Sequence, residues 1–492
     1  MVQQRSAPPE TRCQPSDLTP STDSSGRLAQ IDALRVLSCF SVVAVHALAA
    51  PYAPESVGQG AVTFLLHYSR EIFLFVSALV LVRTYYPRVG EDGRLPNESG
   101  FRLRRLRMIG VPYLWWTTIY YAISLFHDRP TQPFHQLAGD VSLHWVYLVV
   151  TGNGSYHMYF MLVTLQYAVA FPVVLRLLRA TRGYHGWVLL GSLLAQVAVL
   201  YCYQWVFLPP EGWRALVGDA SLLAYQFWLV AGAVVGLHLR RCHQWVVRYR
   251  WWVLAAVPVA AAVLLATYFV ELPGRGALGA SSPLQPVMIM WSVLMLAVLY
   301  LVSVWIMSRG SVGVRASFGY LAQLSFGVYL AHPMVLDVVL ALLRRAGLMA
   351  PRVWVSVLTL LLTSALTIAL CAALHRTRLS LPLMGRQRLA AETAEELPRW
   401  LRPRRLRVLA VLPTMVLAGS ALVVLFVGSQ QTAAVRGGTP SWLEIVEVGQ
   451  SRPDPDKASA GSADDLFSCG GAKSAPHACP LDNPPPATHP GR

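Results

Sequence analysis

Runs of about 20 apolar residues, separated by short polar connections rich in arginine, recur from residue 28 onward; a helix needs a run of that length to cross the hydrocarbon core of a bilayer. The pattern predicts spans near 28–50, 64–86, 106–126, 156–178, 187–208, 219–239, 251–270, 285–307, 317–341, 353–375 and 406–428. The expected fold is therefore an all-α polytopic membrane protein with about 10–11 transmembrane helices. Residues 1–27 are polar and rich in Ser, Thr and Pro, without the apolar stretch of a cleaved signal, and read as a disordered tail. Residues 429–492, rich in Pro, Gly, Ser and Ala, read as a second disordered tail, too short and too polar for another catalytic domain. Between them the expected organisation is a transmembrane domain over 28–377, a basic loop over 378–405 and an additional transmembrane helix over 406–428.

Composition agrees with the hydropathy pattern: 54% of residues are hydrophobic and 13% charged, proportions that a soluble chain of this length could not hold on its surface. The net charge of +16 would suit a nucleic-acid partner, but the basic residues are scattered through short inter-helix loops instead of forming one soluble basic face, and no nucleic acid is expected. The only lysines are Lys457 and Lys473, so arginine sets the topology. Alternate loops at 83–107, 176–186, 240–250, 309–315 and 376–407 carry most of the arginines, which predicts that they, and the N-terminus, are cytoplasmic. Arg344, Arg345 and Arg352 run against the bias. An odd number of spans sends the C-terminal tail out of the cytoplasm, to the far side of the plasma membrane.

The candidate chemistry begins in the first span. In IDALRVLSCFSVVAVHA, Arg35 and His46 are eleven positions apart, three helical turns plus about 20°, which puts both on one stripe roughly 16 Å apart along the axis. Ionisable groups at membrane depth are costly and are functional candidates for that reason. Asp32, one turn before Arg35, is its expected structural partner. Glu71, entering the second span from the opposite side, should fall at the depth of His46, where a carboxylate could orient an imidazole acting as general base; the competing possibility is that Arg70 and Glu71 neutralise each other and His46 bonds a backbone carbonyl. Cys39, Cys202 and Cys371 lie in apolar spans and Cys242 in a basic loop, where a small buried or tolerated side chain suffices. Cys469 and Cys479 in the exported tail could close a disulfide loop. No CxxC pair or HExxH arrangement occurs, and no metal site is expected.

That first-span segment resembles the opening helix of the membrane-bound acyltransferase 3 family, with its LDGLR start and its arginine, ten residues, histidine signature. Four further segments resemble the family in the same order: REIFLFVSALVL, with Glu71 at the usual aspartate and Ser77 at the serine; RRLRMIGVPYLWW, through Arg104, Arg107, Pro112 and Tyr113; YHMYFMLVTLQYAVAFP, through His157, Tyr159 and Phe160; and LSFGVYLAHPMVL, through Ser325, Tyr329, His332 and Pro333. The chain departs from the pattern at Ala78 in place of glycine, at Tyr159 in place of tryptophan, and by a one-residue insertion around Gly110. The resemblance implies an integral membrane O-acyltransferase using acyl-CoA, commonly acetyl-CoA, as co-substrate. The acceptor would be a hydroxyl of an envelope glycan, glycolipid or secreted metabolite. On that basis Arg35, Arg104 and Arg107 would bind the donor. His46 would act as general base or carry the acyl group transiently, and His157, Tyr159 and His332 would contact the acceptor or the oxyanion. The rival class is a transporter or flippase using the same polar path; such proteins often carry internal repeats, and no similarity between the halves of this chain is evident.

Overall fold

The computed structural model describes residues 28–128, 134–206 and 218–389. The additional helix at 406–428, both tails and the Cys469 and Cys479 pair lie outside the described residues. The structure is 82% helical and has no strands among the described residues. In chain order the helices are α1 (Ala29–Ala49), α2 (Val57–Leu66), α3 (Ser69–Tyr85), α4 (Glu98–Arg105), α5 (Val111–Asp128), α6 (Phe134–Thr151), α7 (Tyr159–Ala180), α8 (His185–Tyr201), α9 (Gln226–Leu237), α10 (Leu239–Arg248), α11 (Arg250–Ala280), α12 (Pro286–Arg309), α13 (Val312–Arg345), α14 (Val353–Leu374) and the short α15 (Ser380–Met384).

Among the described residues eight helices are long and apolar enough to span a membrane: α1, the α2–α3 run over Val57–Arg88, α7, α8 with its extension to Trp205, α11, α12, α13 and α14. A ninth arises if α9, bent by 95° into α10, is taken as one broken span. These nine coincide with predicted spans. The predicted span 106–126 is also helical but falls outside that set, because α5 carries Tyr113, Thr117, Thr118, Tyr120, Tyr121 and Ser124 on a shorter frame.

Close packing of the centre follows from small residues. Gly232 and Gly236 of α9, one turn apart, lie against the backbone of α3 so closely that a Cβ on Gly232 would meet the Phe75 carbonyl oxygen, the approach that small residues four apart permit. α1 packs on α3, α12, α13 and α14 at the heart of the bundle, with Cys39 Sγ donating to the Ser325 carbonyl 3.3 Å away. α1 and α13 therefore run side by side with residue 39 beside 325 and residue 46 beside 332, which fixes the depth of both histidines.

The insertion around Gly110 has a structural counterpart: Leu106–Gly110 form a π-helical turn between α4 and α5. A π turn takes one more residue than an α turn, so the extra residue is absorbed without rotating the helices on either side. Gly385 docks there. Its φ is +62°, and a Cβ would strike the Met108 carbonyl, so only glycine fits. With Trp116 Nε1 donating to the Leu383 carbonyl at 2.9 Å and Met384 buried, the first part of the expected 378–405 loop is part of the bundle. Trp187, Trp245, Trp251, Trp252 and Trp305 are exposed near arginine-bearing helix ends, as the aromatic belt of a membrane interface requires.

Candidate active site

Three imidazoles from three separate parts of the chain meet beside the last turn of α1. His46 of α1 and His332 of α13 are stacked with ring centroids 5.5 Å apart, and His157, from the turn before α7, meets His332 edge-on at 5.3 Å. Tyr156 lies 4.4 Å from His46. Tyr120 and Tyr329 both pack on the His157 ring at 5.4 Å. The turn is held in place by Tyr329, whose hydroxyl donates to the His157 carbonyl, and by Gly152, whose φ of +78° and contact with the Tyr159 backbone exclude a side chain. His157 and His332 are fully buried, whereas His46 and Tyr156 are partly exposed, so a substrate would meet His46 first.

One dipeptide decides the chemistry of His332. Residue 333 is proline, so the Tyr329 carbonyl, four residues earlier, loses its helical N–H donor. His332 Nδ1–H takes that place at 2.7 Å. A neutral imidazole that donates through Nδ1 carries its lone pair on Nε2, and Nε2 of His332 is buried without a hydrogen-bond partner, as are both ring nitrogens of His157. Buried polar atoms are normally satisfied, so these three nitrogens represent basic and hydrogen-bonding capacity held in reserve. Among the described residues no three His, Cys, Asp or Glu side chains are arranged to hold a metal ion.

Glu71 is placed elsewhere than expected. Its Oε1 accepts from Arg70 Nε at 3.0 Å, and its other neighbours include Gln196, Trp228 and Gln285, on the side of α3 facing α8, α9 and α12. The first alternative, a carboxylate against His46, is not realised; the Arg70–Glu71 pairing is. Arg70 further donates to the Tyr159 hydroxyl at 3.1 Å, lies 3.6 Å from Asp219 and stacks over the Tyr225 ring. Tyr159, expected with the acceptor or the oxyanion, is thus part of the Arg70 network. His157 and His332 do join His46.

Asp32 and Arg35 are half-buried on α1 and both have partners; Arg35 lies within electrostatic range of Cys39. Arg104 and Arg107 are exposed, and among the described residues neither forms an ion pair. Their neighbour Arg105 differs: it stacks over Tyr85 and Phe101, and burial lowers its pKa. Arg386 follows Gly385 and so stands beside the π turn, and burial, with Arg386 and Arg376 adding to it, holds His375 below its usual pKa. These arginines line one end of the bundle, on the same side of the imidazoles as Arg35.

Residues that the sequence reading passed over are Tyr156, Tyr120, Arg70 as the centre of a network, Asp219 and Asp337. Asp337 was accessible to the rule that selected Glu71, since it is the one acid in the apolar stretch MVLDVVLALL. The HP dipeptide carried the tautomer of His332.

Membrane-length helices thus enclose a cluster of imidazoles, with arginines gathered at one end of the bundle, an arrangement suited to a membrane-embedded enzyme. The chain belongs to the acyltransferase 3 family, whose acyltransferase-domain model matches residues 28–376. It is accordingly an acyltransferase of the membrane, which decides between the enzyme and the transporter. No curated protein and no solved structure matches it.

Proposed function

We propose that the protein is an O-acyltransferase that takes an acyl group, acetyl in the simplest case, from acyl-CoA on the cytoplasmic face of the cell membrane. The acceptor is a hydroxyl of a glycan, glycolipid or secreted metabolite on the other face. The observation that carries this reading is the partly buried His46, stacked on His332 and sharing one stripe of α1 with Arg35.

CoA is a polyanion, and its phosphates need cations where it docks; Arg104 and Arg107, with Arg386 across the π turn, supply them. Arg35 meets the donor part-way, and the thioester carbonyl reaches His46. In the direct route an imidazole takes the acceptor hydroxyl proton as the oxygen attacks the carbonyl carbon; the tetrahedral adduct then breaks its C–S bond, and the proton passes to the CoA thiolate. In the two-step route a His46 nitrogen attacks first, CoA leaves as the thiol, and the acceptor oxygen then displaces the imidazole. Tyr156, whose ring packs on His46, is the phenol that would stabilise the oxyanion in either case.

Purified protein in lipid vesicles, supplied with acetyl-CoA and an envelope glycan fraction, should release CoA thiol in step with an acetyl mass increment on the glycan. Release of thiol with no acylated product under any acceptor fraction, or no release with any acyl-CoA, overturns the reading.

A further inference from the structure

A small cavity lies where α3, α8, α9 and the start of α12 meet, beneath the 283–285 connection, and none of the imidazoles lines it. Its walls carry Glu71, Gln196, Trp228 and Gln285 with apolar side chains between them. It leaves about 10 Å³ for the centre of a water-sized occupant, room for one. Two oxygens of its lining residues, Glu71 Oε2 and Gln285 Oε1, are buried without a hydrogen-bond partner, in residues only 3% and 1% exposed. The amide nitrogens are committed elsewhere: Gln285 Nε2 donates to the Ala280 carbonyl at 2.9 Å, and Gln196 Nε2 to the Ala224 carbonyl at 2.5 Å. Gln196 Oε1 accepts from the Phe227 N–H at 3.2 Å and keeps a second lone pair. Glu71, Gln196 and Gln285 therefore offer the cavity acceptors only.

Charge points the same way. Arg70 stands between two carboxylates, Glu71 at 3.0 Å and Asp219 at 3.6 Å, one positive charge for two negative. Asp219 is partly exposed and is hydrated by solvent, whereas Oε2 of Glu71 is enclosed. We infer that the cavity is a binding site for a single monovalent metal cation of about the size of sodium, held by Glu71 Oε2 and the amide oxygens of Gln285 and Gln196. An anion is excluded by the carboxylate. A divalent ion takes about six or more oxygens, and Glu71 is the one carboxylate on this wall. A neutral water would satisfy both orphaned oxygens but leave the charge imbalance in place. The bound ion ties the start of α12 to α3 and α8 next to the Arg70 network, so it clamps helices and takes no part in acyl transfer. The inference does not rest on the acyl-transfer reading.

Two measurements test it. First, purified protein is melted in sodium chloride and in N-methylglucamine chloride at equal ionic strength. An ion that binds only the folded chain stabilises it by mass action, and sodium at about 0.3 M should raise the melting temperature by about 2 °C or more. Glu71→Gln removes the charge and keeps the shape; Gln285→Leu removes the amide oxygen and leaves the Arg70–Glu71 pair intact. Both should lose the shift, whereas Glu271→Gln, in a carboxylate that pairs with Arg275 and does not line the cavity, should keep it. Each variant is compared with itself in the two media, so a lower baseline stability does not disturb the reading, and if Glu71→Gln fails to fold, Gln285→Leu decides. Second, radioactive sodium should bind the wild type in detergent saturably, with a single ion per chain. Equal melting of the wild type in the two media, or no saturable sodium binding, leaves the cavity to water and overturns the inference; a sodium shift retained in either cavity variant places the ion elsewhere and overturns it equally.

Discussion

Two polar groups lie side by side in the bundle, separated by little more than the turn from His157 to Tyr159. Around His46 the side chains are imidazoles and phenols, and three ring nitrogens are buried with no partner. Around Arg70 they are charged: one guanidinium against Glu71 and Asp219, with the Tyr159 hydroxyl and the Tyr225 ring completing its surroundings. Single atoms there, Arg70 Nη2 and Glu71 Oε2, also go without a hydrogen bond, but each charged group has an opposite charge beside it. A buried ion network of that kind is hard to break and has little left to offer a substrate. The imidazole cluster offers bases and donors to an incoming group and costs little while it stays neutral. Neighbouring groups at similar depth can thus serve opposite ends: one holds helices together, the other reacts.

The sharpest way to break this distinction is at His46. His46→Ala should lower acyl transfer by about two to four orders of magnitude, the usual contribution of a positioned acid–base group. Insertion and thermal stability should be preserved, because alanine is easier to place in the membrane than imidazole. Rates per folded protein in vesicles, read beside a melting curve, decide it; near-wild-type turnover would move the chemistry to another residue.

Arg70→Ala should do the reverse. Removing the cation leaves the buried Glu71 carboxylate uncompensated, and breaking a buried pair costs about 3–5 kcal/mol, so the loss should appear as a lower melting temperature and lower yield. Glu71→Gln is the milder companion: it keeps the shape and should change the turnover of the folded fraction by less than roughly threefold, since the carboxylate faces Arg70 and not the imidazole. A large fall in turnover with unchanged stability in Glu71→Gln would reunite the two groups as one catalytic unit.

That pair of residues also shows where the sequence is legible and where it is not. Hydropathy gives depth along each helix, and with helix periodicity it put Arg35 and His46 on one stripe of the first span; His157 and His332 came to the same site through the family resemblance. Rotation about the helix axis is a second coordinate, and a single sequence does not supply it. Consecutive residues differ by about 100°, so in α3 a small uncertainty in facing moves Glu71 from the α1 side to the α8 and α9 side, where the close approach of Gly232 to Phe75 turns it. Tyr159 escaped for a related reason: α7 begins at that residue, two positions after His157, and the new helix carries it toward Arg70. By contrast, the one-residue insertion at Gly110 was visible, and its outcome as a π turn follows from counting residues per turn.

Arg35 probes the donor path with a smaller expected effect. Arg35→Ala should raise KM for acyl-CoA about tenfold, the loss of one charge-assisted contact, and Arg35→Lys should recover only part of it because a point charge lacks the planar fork. Donor titrations at saturating acceptor measure both. A fall in stability with an unchanged donor KM would assign Arg35 to structural pairing, with Asp32 as the expected partner.

The weakest expected effect lies at the arginine-rich end, where holding a helix and holding a ligand require different properties of the same cation. Orientation in the membrane counts positive charges and is indifferent to whether they are lysine or arginine, so Arg104→Lys with Arg107→Lys should insert as the wild type does. Phosphate binding is not indifferent, because arginine grips two oxygens at once and lysine does not. Both side chains are exposed, so solvent screens them and each contact adds little; the double variant should need roughly two- to fivefold more acyl-CoA, and the gap should widen with salt as the remaining point charges are screened. Arg105, stacked on Tyr85 and Phe101, is left in place because its loss would disturb packing. Donor titrations at two ionic strengths therefore separate the roles: curves that superimpose on wild type at both would leave Arg104 and Arg107 as anchors of the third predicted span, and would shift donor binding to Arg386 and its neighbours across the π turn.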